Sequence, residues 1–336
     1  MSIEQATREM ERLIAAFPAN VKDALTIGRN AIINFRTQPV HNVLISGLGG
    51  SGIGGKIMSQ LVWDSCKVPI SLVHDYRIPA WVGEHTLFIA SSYSGNTEET
   101  LSSLEEAMRR GAQVVCITSG GKLKAMASDY GFNMIEIPGG QPPRTSFGYN
   151  AMQVLFALHA YGLIPAGYAN QIAGAANLLE QSQGAIRTEA AAIANKIKGT
   201  TPIVYAETWM EGVAVRLRQQ INENAKLLCW HHALPEMNHN ELVAWAGGGP
   251  QFSVLLIRTP EDHPATSRRM DLSEEIIRKY TNCIVTLLPK GANRVEWVYY
   301  LIHFADWISY YMARDRQVDP IEITVIDYFK AELSKG

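Results

Sequence analysis

Residues Asn42 to Gly55 read NVLISGLGGSGIGG. Val43 to Ser46 predict a short buried strand, and the glycines behind them predict a tight turn that feeds a helix starting near Ile53. Gly47, Gly49, Gly50 and Gly52 carry no side chain to hold an anion away. The orphan amides and positive dipole of the helix start make such a turn a cradle for phosphate or pyrophosphate. Two ligands compete for it. Gly47, Gly49 and Gly52 match the GxGxxG spacing of a dinucleotide fold, and Asp75 follows a second apolar run, Pro69 to Val73, about where a ribose-binding acid belongs.

A second turn tips the balance. Ser91 to Thr100 reads SSYSGNTEET, follows another buried run (Leu87 to Ala90) and leads into another helix. Ser92, Ser94 and Thr97, with Ser51, put hydroxyls around the ends of two neighbouring strands, which suits one compact phosphate better than a long dinucleotide. Each hydroxyl also has a plain reading as a helix cap before Glu98 and Glu99, worth about 1 kcal/mol. The pairing of GLGGSGIGG with SYSGNTEE resembles the sugar isomerase (SIS) domain proteins. That resemblance implies a phosphosugar ligand whose phosphate is held by Gly50, Ser51, Ser92, Ser94 and Thr97.

The 336-residue chain has room for two domains, and 47% apolar with 18% charged residues is enough for a large core. A formal charge of −2 gives no basic field for nucleic acid or an anionic membrane, so an anionic ligand must be met by local groups. Cys66, Cys116, Cys229 and Cys283 lack paired spacing and read as reduced thiols of a cytoplasmic protein. Charges from Glu4 onward predict no export segment at the N-terminus, and no apolar run reaches the roughly 18 residues of a spanning helix.

Residues 3 to 36 predict two helices broken near Pro18. From 42 to 137 strands and helices alternate: strands end at Ser46, Val73, Ala90, Thr118 and Ile137, with helices to about Trp63, over 97–110 and over 122–130. That rhythm predicts a parallel sheet covered on both faces, with the ligand beyond the carboxyl ends of its strands. Next comes PGGQPPRTSFGYNAM, Pro138 to Met152, where Pro142 and Pro143 stiffen a loop that aims Arg144. On the residues alone, Arg144 is equally a surface arginine paired with an acid. Helices over 149–161 and from Ala166 to about Lys196 lead into a second half. There strands at 202–206, 252–258 and 283–287 and helices at 213–224, 263–280 and 294–314 repeat the order without its phosphate turn. The expected fold is α/β, two similar doubly wound, flavodoxin-like halves of parallel sheet flanked by helices, with domains 1–162 and 163–336.

The second half holds INENAK (Ile221 to Lys226) and LPEMNHNEL (Leu234 to Leu242). Glu223 ends a predicted helix between two asparagines, and His239 follows Pro235 in a loop where a helix is starting. A carboxylate and an imidazole suit proton transfer near neutrality. Their plain readings are a helix-end acid paired with Lys226 and a solvated loop histidine. His231, His232, Glu236, His239 and Glu241 also crowd a short stretch, but Pro235 interrupts any helix and HExxH spacing is missing, so no metal is expected.

NENAK and LPE-x-x-HNE, with the two turns upstream, closely resemble the bifunctional phosphoglucose/phosphomannose isomerases of bacteria and archaea. The resemblance implies that Glu223 is the base, that His239 opens and closes the sugar ring, and that Arg144 stabilises a negatively charged intermediate. Lys330 matches a C-terminal lysine, although Ile321, Glu322 and Ile323 depart from the pattern beside it. It further implies aldose–ketose isomerisation of glucose 6-phosphate and/or mannose 6-phosphate with fructose 6-phosphate, no cofactor, and a homodimer with shared active sites. The alternatives are a non-catalytic phosphosugar-binding SIS regulator and a Rossmann-type NAD-dependent oxidoreductase.

Overall fold

The computed structural model describes residues 1–34, 38–333 and 335, and divides into two compact units. One unit comprises Ala16–Gln181 with Lys290–Tyr300; the other comprises Met1–Ala15, Ser182–Pro289 and Leu301–Gly336. In chain order the first helices are α1 (Ile3–Ala15) and α2 (Phe17–Asn30), with Pro18 in the first turn of α2, where a missing N–H costs nothing. Residues 35 and 36 of the expected second helix lie outside the described residues.

The first sheet is built from β1 (Asn42–Ser46), α3 (Gly49–Leu61), β2 (Ile70–Val73), β3 (Thr86–Ser91), α4 (Glu98–Arg109), β4 (Gln113–Thr118), α5 (Gly121–Tyr130) and β5 (Asn133–Glu136). Its strands are all parallel in the order β2-β1-β3-β4-β5. Successive side chains face opposite layers. Leu44, Phe88 and Cys116 join Leu104, Ala107 and Leu123 of α4 and α5 in one core, whereas Ile45 points at α3, where Cγ2 would lie 2.8 Å from a Cβ on Gly55. Helices therefore cover both faces. A 3-10 turn, Pro143–Ser146, leads into α6 (Phe147–Ala160), followed by α7 (Tyr168–Lys196).

The second sheet repeats the plan with β6 (Thr201–Glu207), α8 (Glu211–Ala225), β7 (Trp230–Leu234), a 3-10 turn at Glu236–His239, and the four-residue helix α9 (Glu241–Ala244). Then come β8 (Phe252–Ile257), α10 (Pro264–Ile277), β9 (Ile284–Leu287), α11 (Arg294–Arg316) and α12 (Thr324–Leu333). Its order, β7-β6-β8-β9, is again parallel throughout and matches the first four strands of the other sheet. The strand β7 is not predicted by the sequence, because its five residues, WHHAL, carry two histidines in place of an apolar run.

All four cysteines are free, and burial pushes the Cys116 and Cys229 thiols up to about 12. Among the described residues no helix is long and apolar enough to cross a membrane.

Helix α8 is locked to α11 by a buried ion pair. Nη2 of Arg216 reaches both Asp306 oxygens, at 2.8 and 2.9 Å, and Gln220 Nε2 donates to Oδ1 at 2.7 Å. Replacing Asp306 with Ala strips the buried guanidinium of its carboxylate and should lower stability by about 3–5 kcal/mol in urea unfolding. The double variant Arg216→Met with Asp306→Leu, which buries no charge, should recover most of that loss.

Candidate active site

At the carboxyl ends of β1 and β3 the glycines divide into two kinds. Helix α3 begins at Gly49, not near Ile53, so most of the glycine run lies inside its first turns. A Cβ on Gly47 would sit 2.7 Å from the Ser91 carbonyl oxygen, and one on Gly52 would sit 2.4 Å from that of Gly47. Gly50 presses on the arginine loop, where its Cβ would meet the Pro143 oxygen at 3.1 Å. Only Gly49 of the four, at φ +53°, has open space where a side chain would be. The expectation that all four clear room for an anion is thus corrected. Three are glycine because backbone passes too close for anything larger.

The hydroxyls gather beside that turn. Ser51, buried on the first turn of α3, accepts the Tyr93 N–H at 3.1 Å and Asn150 Nδ2 at 2.9 Å. Ser92 Oγ accepts the Gly95 N–H at 3.1 Å and lies 2.9 Å from the Thr97 hydroxyl. Thr97 is the residue before α4 yet makes no capping hydrogen bond, so the plain capping reading fails there and the first amides of α4 are not spent on it. Ser94 is exposed, its Oγ accepting the Asn96 N–H at 3.3 Å. Arg144 is only 4% exposed, which rules out a surface arginine, and Gly50 lies against the backbone of its loop. Sequence reasoning missed Asn150 and His74. His74 Nδ1 donates to the Gly47 carbonyl at 2.6 Å, and because a carbonyl only accepts, Nδ1 is the protonated nitrogen. The available signal for Asn150 was an amide in the otherwise apolar start of α6.

In the other unit the corresponding place is filled from within. By strand order β6, β8 and α10 answer to β1, β3 and α4. Glu207, the last residue of β6, is buried, and its two oxygens each accept the His263 N–H at 3.1 Å at the start of α10. Burial raises its carboxyl above the usual range, with Asp262 pushing the same way against the His263 N–H and Thr266 hydroxyl. A carboxylate stands where the first half leaves hydroxyls and amides, which gives a physical reason for the missing anion turn.

Glu223 is half-buried near the C-terminus of α8. Its neighbours fix the helix end. Asn222 Nδ2 donates to the Leu227 carbonyl at 2.8 Å, buried Asn224 donates to Ser309 Oγ at 2.9 Å, and Lys226 Nζ donates to the carbonyls of Glu223 and Glu322 at 2.5 and 2.6 Å. The last contact ties the C-terminal segment to this helix end. Lys330 lies farther along, exposed on α12, none of whose residues is buried. His239 is exposed at the end of the 3-10 turn after β7.

The sheet separates Glu223 from His239. Adjacent strand residues point to opposite faces. On β7, His231 Nε2 lies 3.7 Å from Glu211 of α8, while His232 Nδ1 lies 2.9 Å from Glu241 of α9. Met237 and Trp245 pack on Ile203, Tyr205, Val254 and Leu256, the face of His232. So α8 covers one face and the segment carrying His239 covers the other. Because α8 runs back toward the amino edge of the sheet, Glu223 stands near that edge on one face, while His239 stands beyond the carboxyl end of β7 on the other.

The histidine-rich stretch resolves into separate pairs. Glu241 accepts the Tyr205 hydroxyl at 2.5 Å and bonds His232, and Trp245 Nε1 donates to the Tyr205 oxygen at 3.1 Å. Among the described residues no group of three His, Cys, Asp or Glu side chains is arranged to hold a metal ion.

The SIS domain model matches residues 38–148, and the bacterial phospho-glucose isomerase C-terminal SIS domain model matches residues 186–333. A bifunctional phosphoglucose/phosphomannose isomerase of Caldicellulosiruptor bescii is 35% identical over 331 residues, covering 95% of this chain and 97% of that protein. A D-glucosamine-6-phosphate 4-epimerase of Sulfolobus acidocaldarius is 32% identical over 223 residues, covering 66% of this chain and 70% of that one. In fold, the C-terminal domain of glucosamine-fructose-6-phosphate aminotransferase from Francisella tularensis superposes with TM-score 0.74 at 14% identity, covering 94% of this chain and 98% of that one.

Gly50→Val should push the arginine turn off α3, because even a bare Cβ lies 3.1 Å from the Pro143 oxygen. Affinity for inorganic phosphate, measured by calorimetry, is expected to fall about 10-fold or more, as displacement of a positioned group does. The thermal midpoint should fall by no more than a few degrees.

Proposed function

Because the chain belongs to the bifunctional phosphoglucose/phosphomannose isomerase family, we propose that it interconverts glucose 6-phosphate and mannose 6-phosphate with fructose 6-phosphate through a cis-enediolate. The observation that carries this reading is likeness to such isomerases along almost the whole chain.

Ser51, Ser92, Ser94 and Thr97, with the Gly50 backbone, hold the phosphate, and that grip supplies remote binding energy for the reacting end. Glu223 takes the proton from C2 of the aldose and returns it to C1 of the enediolate, a general-base step of typically about 10²–10⁴-fold. Arg144 faces the negative charge that develops on the enediolate oxygens; its burial supports the role, since a cation acts most strongly out of water. His239 moves the proton that opens and closes the ring, and Lys330 assists at the same end. Rotation about C2–C3 lets the enediolate be reprotonated on either face, so one pocket serves both aldoses. No step calls for a redox cofactor.

Both histidine and glutamate are needed at one sugar, and within a chain the second sheet stands between them. The reading therefore takes a homodimer in which His239 reaches the substrate of the neighbouring copy, an arrangement that a two-fold interface generates twice over. Its exposed position supports this. A cytoplasmic location goes with the reading, since the substrates are phosphorylated metabolites and all four thiols are free.

Following each aldose and fructose 6-phosphate by NMR in heavy water tests the reaction. Interconversion of all three sugars with deuterium appearing at C1 or C2 is expected; binding without exchange would leave a sensor, not an isomerase. Glu223→Gln should bind fructose 6-phosphate within about threefold of the parent while turnover falls at least ~10³-fold. Retained turnover would remove Glu223 from the proton step.

A further inference from the structure

Asn150 is 3% exposed, has no role in the readings above although it lies in the stretch Pro138 to Met152, and both ends of its amide are committed to residues beside the first turn of α3. Its Oδ1 accepts the Ser91 hydroxyl at 2.5 Å, and its Nδ2 donates to Ser51 Oγ at 2.9 Å. The Tyr93 N–H donates to the same Ser51 oxygen at 3.1 Å. A serine hydroxyl has two lone pairs and one proton. Both lone pairs of Ser51 are therefore taken by donors, and what is left to it is the proton.

We propose that Asn150 is a positioning residue that makes the Ser51 hydroxyl an obligatory hydrogen-bond donor toward the substrate phosphate. The inference rests on the reading of Ser51 as a phosphate ligand and adds the reason that its hydroxyl is oriented before the ligand arrives. A phosphate dianion offers only acceptor oxygens, so a hydroxyl that rotates freely must first be turned. Here the turn is made by a relay running from the end of β3 through α6 to α3. Ser91 gives its proton to the amide oxygen, which fixes the amide, and the amide nitrogen then points its N–H at Ser51. Hydrogen bonds in such a chain polarise one another, so the Ser51 proton becomes a better donor. Asn150 need not touch the sugar.

The order of effects across variants separates orientation from simple space-filling. Asn150→Ala removes the donor and leaves Ser51 free to rotate; the KM for fructose 6-phosphate and the Kd for inorganic phosphate should rise about 5–10-fold, with kcat within about twofold. Asn150→Asp keeps the shape but accepts from Ser51, turning its proton away from the ligand, and should weaken phosphate by at least ~100-fold. A residue that only fills space gives the opposite order, with Asp the milder change. Ser91→Ala introduces no charge, and by releasing the amide it should raise both constants several-fold. It keeps the test open if the aspartate variant does not fold, which circular dichroism checks.

Ser51→Ala separates this inference from the reading beneath it. If Ser51→Ala binds phosphate as the parent does, Ser51 is no phosphate ligand and the reading fails. If Ser51→Ala weakens phosphate while Asn150→Asp is no worse than Asn150→Ala, or Ser91→Ala binds as the parent does, the phosphate site stands and the relay is overturned.

Discussion

A parallel sheet has two faces, and in the second half of this protein Glu223 and His239 are on different ones. The alternation of His231 toward Glu211 and His232 toward Glu241 fixes which helix lies on which side. Right-handed crossovers produce that placement without reference to any reaction, because the connection from β6 to β7 and the one from β7 to β8 run in opposite directions along the sheet. Once that is so, Glu223 and His239 stand on opposite faces of the second sheet within one chain.

The two sheets share a strand order and differ at one place, the end of the first strand of each. After β1 the backbone turns on Gly47, with hydroxyls and the first turn of α3 beside it and open space where a Gly49 side chain would be. After β6 the chain carries Glu207 into the equivalent position, where its carboxylate accepts the His263 N–H at the start of α10. That carboxyl takes the His263 N–H, and in its ionised form it repels an anion. The two halves thus differ in chemistry at equivalent places, with hydroxyls beside the end of β1 and a carboxyl at the end of β6.

Much of this was legible in the residues. Apolar runs such as Val43 to Ser46 and Leu87 to Ala90 mark buried parallel strands, and their spacing carries the α/β class and the repeat. Strand β7 was hidden because His231 and His232 break its apolar run, although each side chain finds a partner on its own face. The start of α3 was misplaced because glycine weakens a helix in isolation, a penalty overcome here by packing: Gly54 lies against Ala151 and Gly55 against Ile45. Arg144 could be placed in a stiff loop from its prolines, but not buried, since burial depends on the distant contact with Gly50. The opposed faces of Glu223 and His239 depend on strand order, which no local pattern specifies.

Mixing two disabled chains tests the shared-site arrangement most directly. Co-expressed Glu223→Gln and His239→Ala chains, each inactive alone, should form mixed dimers in which one of the two sites has both parental groups. With random pairing, roughly a quarter of parental activity should return. A mixture that exchanges subunits yet stays as inactive as its components would contradict the arrangement and return His239 to the chain that carries Glu223.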